Sequence, residues 1–498
     1  MLILFSESQQ LKLNQTEKYN MQIHMIGHAS IFVETKDCNI LMDPILFDPH
    51  SEGIEDVYPK REVDLENFPE FDLLVISHRH LDHFHLRSLA SLPKDVDVLI
   101  PKDKVMENCL RQLGFSQVYQ LGDFDEVNLG ATKLLATRSE NRVPELGFVL
   151  ADDTGTFWNQ VDTVVSPETI GRVKSIYPQI DFLLTPWQPM LEIDYQHNRS
   201  ISFPYDKYNS SLEKIKLVQA KAIAPGANGF KLTNSSSWLN QITFPVTRER
   251  FCHDLKAVCP EVGSNIYPLN PGDILAFKNC EFSYLEQMSQ FVNLLEDKRE
   301  SLDFSPVQAG NPLVDDNLDN YDLEKIQKVI EKEVCVNFPQ FFKEKKSSLM
   351  LYHRWKVIFQ LEVVFPNRKC QWYFDFAEKE VKAHSGRNPL ANLFTSITAS
   401  SFYGLIEKIT GWDYAQLGGN FRSFKKVYMA TEYGITLPHE YSIQDLLSMK
   451  YPYQDNFEHT QYHEVKKWVK DAVNPLEDKN NSMLEMGNTL VRIKKKSR

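Results

Sequence analysis

Four residues of metal-binding type stand together in Ser77-His78-Arg79-His80-Leu81-Asp82-His83: His78, His80, Asp82 and His83. They follow Phe71-Asp-Leu-Leu-Val-Ile76, an almost continuous apolar run of the kind expected for a strand buried on both faces. A loop at the carboxyl end of such a strand projects side chains into a crevice while the sheet holds them rigid. In an extended loop, His78 and His80 point the same way and share one metal, while Asp82 and His83 turn toward a second position. Imidazole nitrogen and carboxylate oxygen suit zinc, iron and manganese. His85 lies outside the pattern and reads as a supporting or surface residue.

The elements around this loop alternate between strand and helix, which predicts an α/β fold. Gln22–Ile26 and Ser30–Glu34 read as strands joined by a turn at Gly27-His-Ala, and Asn39–Met42 as a third that ends in Asp43-Pro44. Leu86–Leu92 has helical spacing. Val98–Ile100, Leu134–Ala136, Asp181–Leu184 and Ala222–Ala224 read as further strands, and Gly147–Ala151 with Thr156–Trp158 as a hairpin around Asp152–Gly155. The stretch 295–322 is acidic and rich in turn formers, which predicts a linker. Beyond it, Leu323–Val336 reads as helix, Leu349–Val364 and Gln371–Phe376 as strands, and Leu393–Thr410 as helix. The expected organisation is a leader over 1–20, a metal-binding domain over 21–294, the linker, and a smaller α+β domain over 323–498 that ends in a basic tail, Arg492–Arg498.

Composition narrows the function classes. A chain of 498 residues exceeds what one core usually serves. A net charge of −12 argues against a general nucleic-acid binder, whose face needs clustered Lys and Arg. The seven cysteines are scattered, with no CxxC pair, which argues against cysteine-held zinc or iron–sulfur centres and for a reducing compartment. Met1–Phe5 is too short for a signal-peptide core, and no run approaches the ~18 apolar residues of a membrane span. A cytoplasmic protein is expected.

The His-Arg-His-Leu-Asp-His run identifies the chain as a member of the metallo-β-lactamase superfamily. Gly27-His28-Ala29-Ser30 and Met42-Asp43-Pro44 resemble that superfamily's first two motifs. Trp158-Asn-Gln-Val-Asp162-Thr163 resembles the motif whose Asp bridges two metals, a sensible role because each carboxylate oxygen can bind one cation. The resemblance implies an αββα sandwich. Within the superfamily, the run from Val75 to His83, Trp158–Asp162, Ala224-Pro-Gly-Ala-Asn-Gly-Phe230 and Leu269-Asn-Pro-Gly-Asp273 resemble the cytidine monophosphate-N-acetylneuraminate hydroxylase family. Gln371–Phe376, Ile409–Tyr414 and Asn420-Phe-Arg422 extend that likeness past the linker. That family carries an N-terminal Rieske domain, whose iron–sulfur centre is held by two Cys and two His. Only about twenty residues precede the first strand here, and none is Cys. The chain is therefore expected to lack that domain and to draw electrons from a separate ferredoxin, Rieske protein or reductase.

Superfamily hydrolases place a His about twenty residues before the bridging Asp and another near the end of the domain. Here the first slot falls in Thr137–Arg142, where Glu140 is the ligand candidate, with pairing to Arg138 or Arg142 as its other role. The last slot falls at Asn228-Gly229, again without His, and His197 is a distant substitute. Exchanging imidazole for carboxylate adds hard oxygen donors, which shifts preference from zinc toward iron or manganese. The iron-dependent β-hydroxylases of peptide antibiotic pathways resemble such a site.

Three functions are therefore weighed. The first is a dinuclear-iron oxygenase or hydroxylase acting on a small molecule, with His78, His80, Asp82, His83 and Asp162 as ligands and Glu140 as an added one. The second is a zinc- or manganese-dependent hydrolase of an ester, amide or phosphodiester, with Asp82 as ligand and catalytic base. The third is a degenerate, non-catalytic metal binder. Arg138, Arg142 and Lys231 are candidate substrate contacts. The aromatic C-terminal domain is expected to cover the metal cleft or to form a homodimer interface.

Overall fold

A computed structural model describes residues 21–197, 199, 203–278, 281–297, 312–431, 434–439, 442–469, 481–486 and 489–494. The expected leader 1–20, much of the linker, Cys280 and the end of the basic tail lie outside these residues. Among the described residues no helix is long and apolar enough to cross a membrane.

Two eight-stranded sheets face each other. The first runs in the order Glu281–Leu285, Ile274–Lys278, Met21–Gly27, Ser30–Glu34, Asn39–Met42, Leu73–Val75, Asp97–Pro101, Val118–Leu121. Its first five strands pair antiparallel and its last four parallel, with Asn39–Met42 common to both sets. Alternation decides which side chains meet which layer. Leu73 and Val75 point into the core between the sheets, together with Ile23, Val33, Phe148, Phe157 and Leu184. Leu74 and Ile76 point outward beneath helices Leu86–Ser91 and Lys104–Gln112. The second sheet is covered in the same way by Pro167–Ile176, Tyr205–Val218 and Arg248–Val258. The layers are thus helix, sheet, sheet, helix, as the resemblance implies.

A smaller domain follows, built on the five-stranded sheet His384–Ser385, Arg368–Asp375, Ile358–Phe365, Leu393–Thr398, Phe421–Lys425 and its own apolar core. Two expected elements change here. Leu349–Val364 begins as helix Met350–Arg354, and the strand starts at Ile358 after Lys356 turns through a left-handed φ of 47°. Leu393–Thr410 is a strand before it is a helix. Leu393, Thr395 and Ile397 alternate into the core, and Thr398 then caps helix Ala399–Glu407 by accepting the Ser401 amide. Sheet pairing on both sides overrides the apolar periodicity.

The domain boundaries also differ from those read off the sequence. Asp315, within the expected linker, is buried and accepts both the amide and the hydroxyl of Ser400, each at 2.8 Å. Helix Tyr453–Trp468 packs on Leu86–Ser91 and Lys104–Gln112, and its Val465 is buried in the first domain's core. Strands Asn481–Met486 and Thr489–Lys494 extend the second large sheet, the latter parallel to Glu126–Asn128. Part of the basic tail, Arg492–Lys494, is therefore strand. Among the described residues, Tyr453–Trp468, Asn481–Met486 and Thr489–Lys494 thus pack with the first domain.

Candidate metal centre

Several strands of the sandwich end beside one another and deliver polar side chains there. Leu73–Val75 runs out into Ser77–His83. Met21–Gly27 ends at His28, Asn39–Met42 at Asp43, Gly155–Asn159 just before Asp162, and Ala222–Pro225 just before Asn228. Glu145 immediately precedes strand Leu146–Asp152, and a backbone bridge sets it opposite His78. The turns are strained: His28, Asp43, Val161 and Asn228 all hold left-handed φ angles between 42° and 71°. Such conformations cost about 1–3 kcal/mol each and persist only where packing enforces them. Gly27, at φ 131°, also lies so close to Val57 that an added Cβ would stand 2.6 Å from its methyl.

The side chains converge. His78 Nε2 lies 2.9 Å from His80 Nδ1. His83 Nε2 lies 3.2 Å from Asp162 Oδ2 and 3.5 Å from Asp82 Oδ2, and His28 Nε2 lies 3.2 Å from Asp82 Oδ2. Three overlapping sets have ligand atoms mutually within 4.8 Å: His78, His80 and Asp82; His78, His83 and Asp162; His28, Asp82 and His83. The opposite ring nitrogens are held. His83 Nδ1 faces Asp43 Oδ2 at 3.0 Å, and His78 Nδ1 faces the Ser77 hydroxyl at 2.9 Å. Asp43 also accepts the Ser77 amide and hydroxyl. Asp162 is set by an Asx-type turn, in which Asn159 Oδ1 accepts the Val161 amide at 3.1 Å, and by Thr185 donating to Gln160 Oε1.

Electrostatics follow from this crowding. Burial disfavours a charged His83, but Asp82 and Asp162 outweigh it and hold its pKa well above the usual range. Burial and the neighbouring His83 and His80 push His78 well below it. Burial raises the Glu145 carboxyl, and burial lifts Glu192, across the cleft, to about 7. Asp162 Oδ1 and Glu145 Oε1 are buried with no hydrogen-bond partner among the described residues. Orphaned anionic oxygens beside imidazole nitrogens are what a divalent cation satisfies, so the donor set fits a metal centre.

The residues named from the sequence divide into two groups. His78, His80, Asp82, His83 and Asp162 come together. Glu140 does not join them: its carboxylate accepts the Thr169 hydroxyl at 2.9 Å and the Ser166 amide at 3.2 Å, at the start of helix Pro167–Ile176. The carboxylate beside the histidines is Glu145, 3.7 Å from His78. His85 precedes helix Leu86–Ser91 and contacts Ser88, and burial lowers its pKa to about 3. His197 packs on Phe421, and Lys231 pairs with Asp297 at 2.5 Å. Two residues escape sequence reasoning. Glu145 is signalled only by its place before an apolar strand, and His28 stands in the Gly27–Ser30 motif but is not read as a ligand from it.

The cluster floors a cleft of about 600 Å³. Both domains wall it: Trp187, Phe230 and Lys214 from the first, Asp413, Gln416 and Tyr453 from beyond the linker. Glu52 joins them by accepting the Gly411 and Tyr414 amides at 2.8 and 3.1 Å. Residues of the C-terminal region thus line part of the cleft.

Residues 22–170 match the model of the β-lactamase superfamily domain. A UPF0173 protein of Pyrococcus abyssi is 27% identical over 168 residues, which are 33% of this chain and 70% of that one. A Mycolicibacterium smegmatis protein named as a Rieske 2Fe-2S iron–sulfur protein is 26% identical over 189 residues, 34% of this chain and 36% of its own. The 4-amino-L-phenylalanyl-(CmlP-peptidyl-carrier-protein) 3-hydroxylase of Streptomyces venezuelae is 28% identical over 124 residues, 23% and 22% of the two chains. The chain thus spans about a third or less of the length of these last two relatives. Among solved structures, the diiron β-hydroxylase CmlA from Streptomyces venezuelae and an isothiocyanate hydrolase from Delia radicum gut bacteria each align at 16% identity and a TM-score of 0.37. Each alignment covers 52% of this chain, with 54% of the first structure and 99% of the second.

Proposed function

We propose that this chain is a dinuclear-iron oxygenase that hydroxylates a small molecule with electrons from a separate redox protein. His78, His80, Asp82, His83 and Asp162 would hold the metal, and His28 would add to the donor set. The observation that carries the reading is the carboxylate content of the cluster. Asp82 and Asp162 each stand within 3.5 Å of His83 Nε2, Glu145 lies 3.7 Å from His78 Nδ1 on the side of the ring that faces Ser77, and Asn228 lines the cleft in the slot where superfamily hydrolases carry a further histidine. Hard oxygen donors in those places favour iron or manganese over zinc. The hydroxylase and the Rieske-named protein among its relatives support the same direction.

Bound iron would supply the activation of oxygen; the protein supplies placement and exclusion of water. Asp43 fixes the His83 ring through Nδ1 and so presents Nε2 to the centre. Ser77 does the same for His78. The cover from Asp413, Gln416 and Tyr453 encloses a substrate against the cluster. A second reading, a zinc- or manganese-dependent hydrolase, is favoured by Asp82, which reaches the cleft between His28 and His83 where a base would serve.

Metal analysis of protein from iron-supplemented cells separates the two. About two irons per chain with a visible absorption band is the expected result. Tightly held zinc with phosphodiesterase or lactonase activity would sink the oxygenase. His80→Ala should abolish metal binding, and unchanged metal content would overturn the site itself.

A further inference from the structure

Beside the cleft lies a second compartment of about 160 Å³. Trp187, Asn228 and Phe230 line both spaces, so the two adjoin along these residues. Phe230 spans the junction: its ring centroid is 5.5 Å from that of His28 on one side and 5.5 Å from that of Phe244 on the other. The compartment's walls are aromatic, from Tyr58, Trp187, Phe230 and Phe244. An apolar space of about this size holds one six-membered ring.

One cation opens into it. Arg248 donates from one terminal nitrogen to Asn270 Oδ1 at 3.1 Å and from the other to the Leu269 carbonyl. These bonds fix the guanidinium but leave three of its five N–H donors. Among the described residues, no carboxylate reaches it within ion-pair distance. The adjacent Glu249 and the more distant Asp273 act on it only through the longer-range field. Burial pulls its pKa down from the ordinary range, while the fields of Glu249 and Asp273 oppose the shift. The walls are also preset: the Gln188 side chain holds the Val246 backbone, tying the Trp187 segment to the segment before Arg248. Glu249 also lines the slot, so Arg248 is its one cation; a preformed, mostly apolar slot with a few convergent polar groups is the usual form of a small-molecule site.

We propose that this compartment anchors the substrate, taking an aromatic ring whose carboxylate pairs with Arg248 while the remainder extends past Phe230 toward the metal cluster. The class is therefore aromatic carboxylic acids. The proposal rests on the reading of the cleft as a substrate site, but not on which reaction occurs there. Phenylacetate and its neutral isostere phenylacetamide are the probes, titrated into the metal-loaded and the chelator-treated full chain by calorimetry.

The acid should bind about ten- to a hundredfold more tightly than the amide. Arg248→Gln should erase that preference, and Arg248→Lys should retain part of it. Thermal melts of both variants establish that they are folded. Equal affinity for acid and amide, or no binding of phenylacetate, overturns the proposal. So does a preference that survives Arg248→Gln, because the carboxylate would then sit on the metal or on Lys207 and Lys214 of the cleft wall. Neither titration requires turnover, so failure of the oxygenase reading leaves the result interpretable.

Discussion

Asp43 Oδ2 stands 3.0 Å from Nδ1 of His83, and both side chains are buried. A carboxylate on the far ring nitrogen fixes tautomer and orientation, which typically matters about 10–100-fold in metal affinity. Asp43→Asn keeps the shape and the acceptor for the Ser77 amide but lowers the charge behind the ring. Competition with a graded chelator should show metal affinity falling by about that factor. An unchanged affinity would show that His83 is not a ligand.

Glu140 and Glu145 make a paired test, because they stand close in sequence and differ in placement. Glu140→Ala removes acceptors for the Ser166 amide and the Thr169 hydroxyl. It should lower stability by about 1 kcal/mol without changing metal content. Glu145→Gln should instead reduce bound metal while leaving the denaturant midpoint near its original value. The reverse pattern would restore Glu140 as the ligand.

Glu52 predicts a pH dependence of stability away from the metal cluster. Burial, reinforced by Asp413 and more weakly by Glu464, raises its carboxyl to about 8, although the Gly411 and Tyr414 amides oppose the shift. The folded chain then binds more protons than the unfolded chain between about pH 4.5 and 8. Stability from this group is fully present below about 4.5 and is lost as pH rises through 8. Glu52 keeps some contact with solvent, so the slope is modest. Melting temperatures across that range should fall less steeply in Glu52→Gln than in the parent, and an identical slope would exclude Glu52 as its source.

Val465 tests whether the segment beyond the linker is one cooperative unit with the first domain. Its side chain is fully buried among residues of helices Leu86–Ser91 and Lys104–Gln112. Val465→Ala removes two methyl-sized groups and should cost about 2 kcal/mol. Hydrogen exchange should quicken in those two helices; faster exchange confined to Tyr453–Trp468 would mean that the contact is superficial.

Sequence reading reached the buried strand, the loop after it and the layered fold because these depend on local pattern. An apolar run before His78 and the short apolar run Ile31–Val33 carry that information within a few residues. It placed Asp162 as well, since the Asn159 turn that presents it is local. It missed Glu145 because a spacing counted along the chain does not show which way a strand-edge residue faces. The isolated bridge to His78 sets that direction, and it joins segments that adjoin strands of different sheets. It missed the fate of residues beyond 453 for the same reason: nothing in Thr489–Lys494 states that its partner is Glu126–Asn128.

That last pairing has a consequence for how the protein is made. Glu126–Asn128 pairs on one side with Lys133–Leu135 and on the other with Thr489–Val491. Its second side receives a partner only after hundreds of further residues have left the ribosome, tens of seconds at ~5–20 residues per second. Throughout that interval the nascent sheet presents a bare row of backbone donors and acceptors, a template for pairing with another chain. Polysomes carrying many partly made copies are where this protein is most exposed to self-association, and chaperone occupancy during synthesis should concentrate after residue 128 emerges and end once residue 491 has docked.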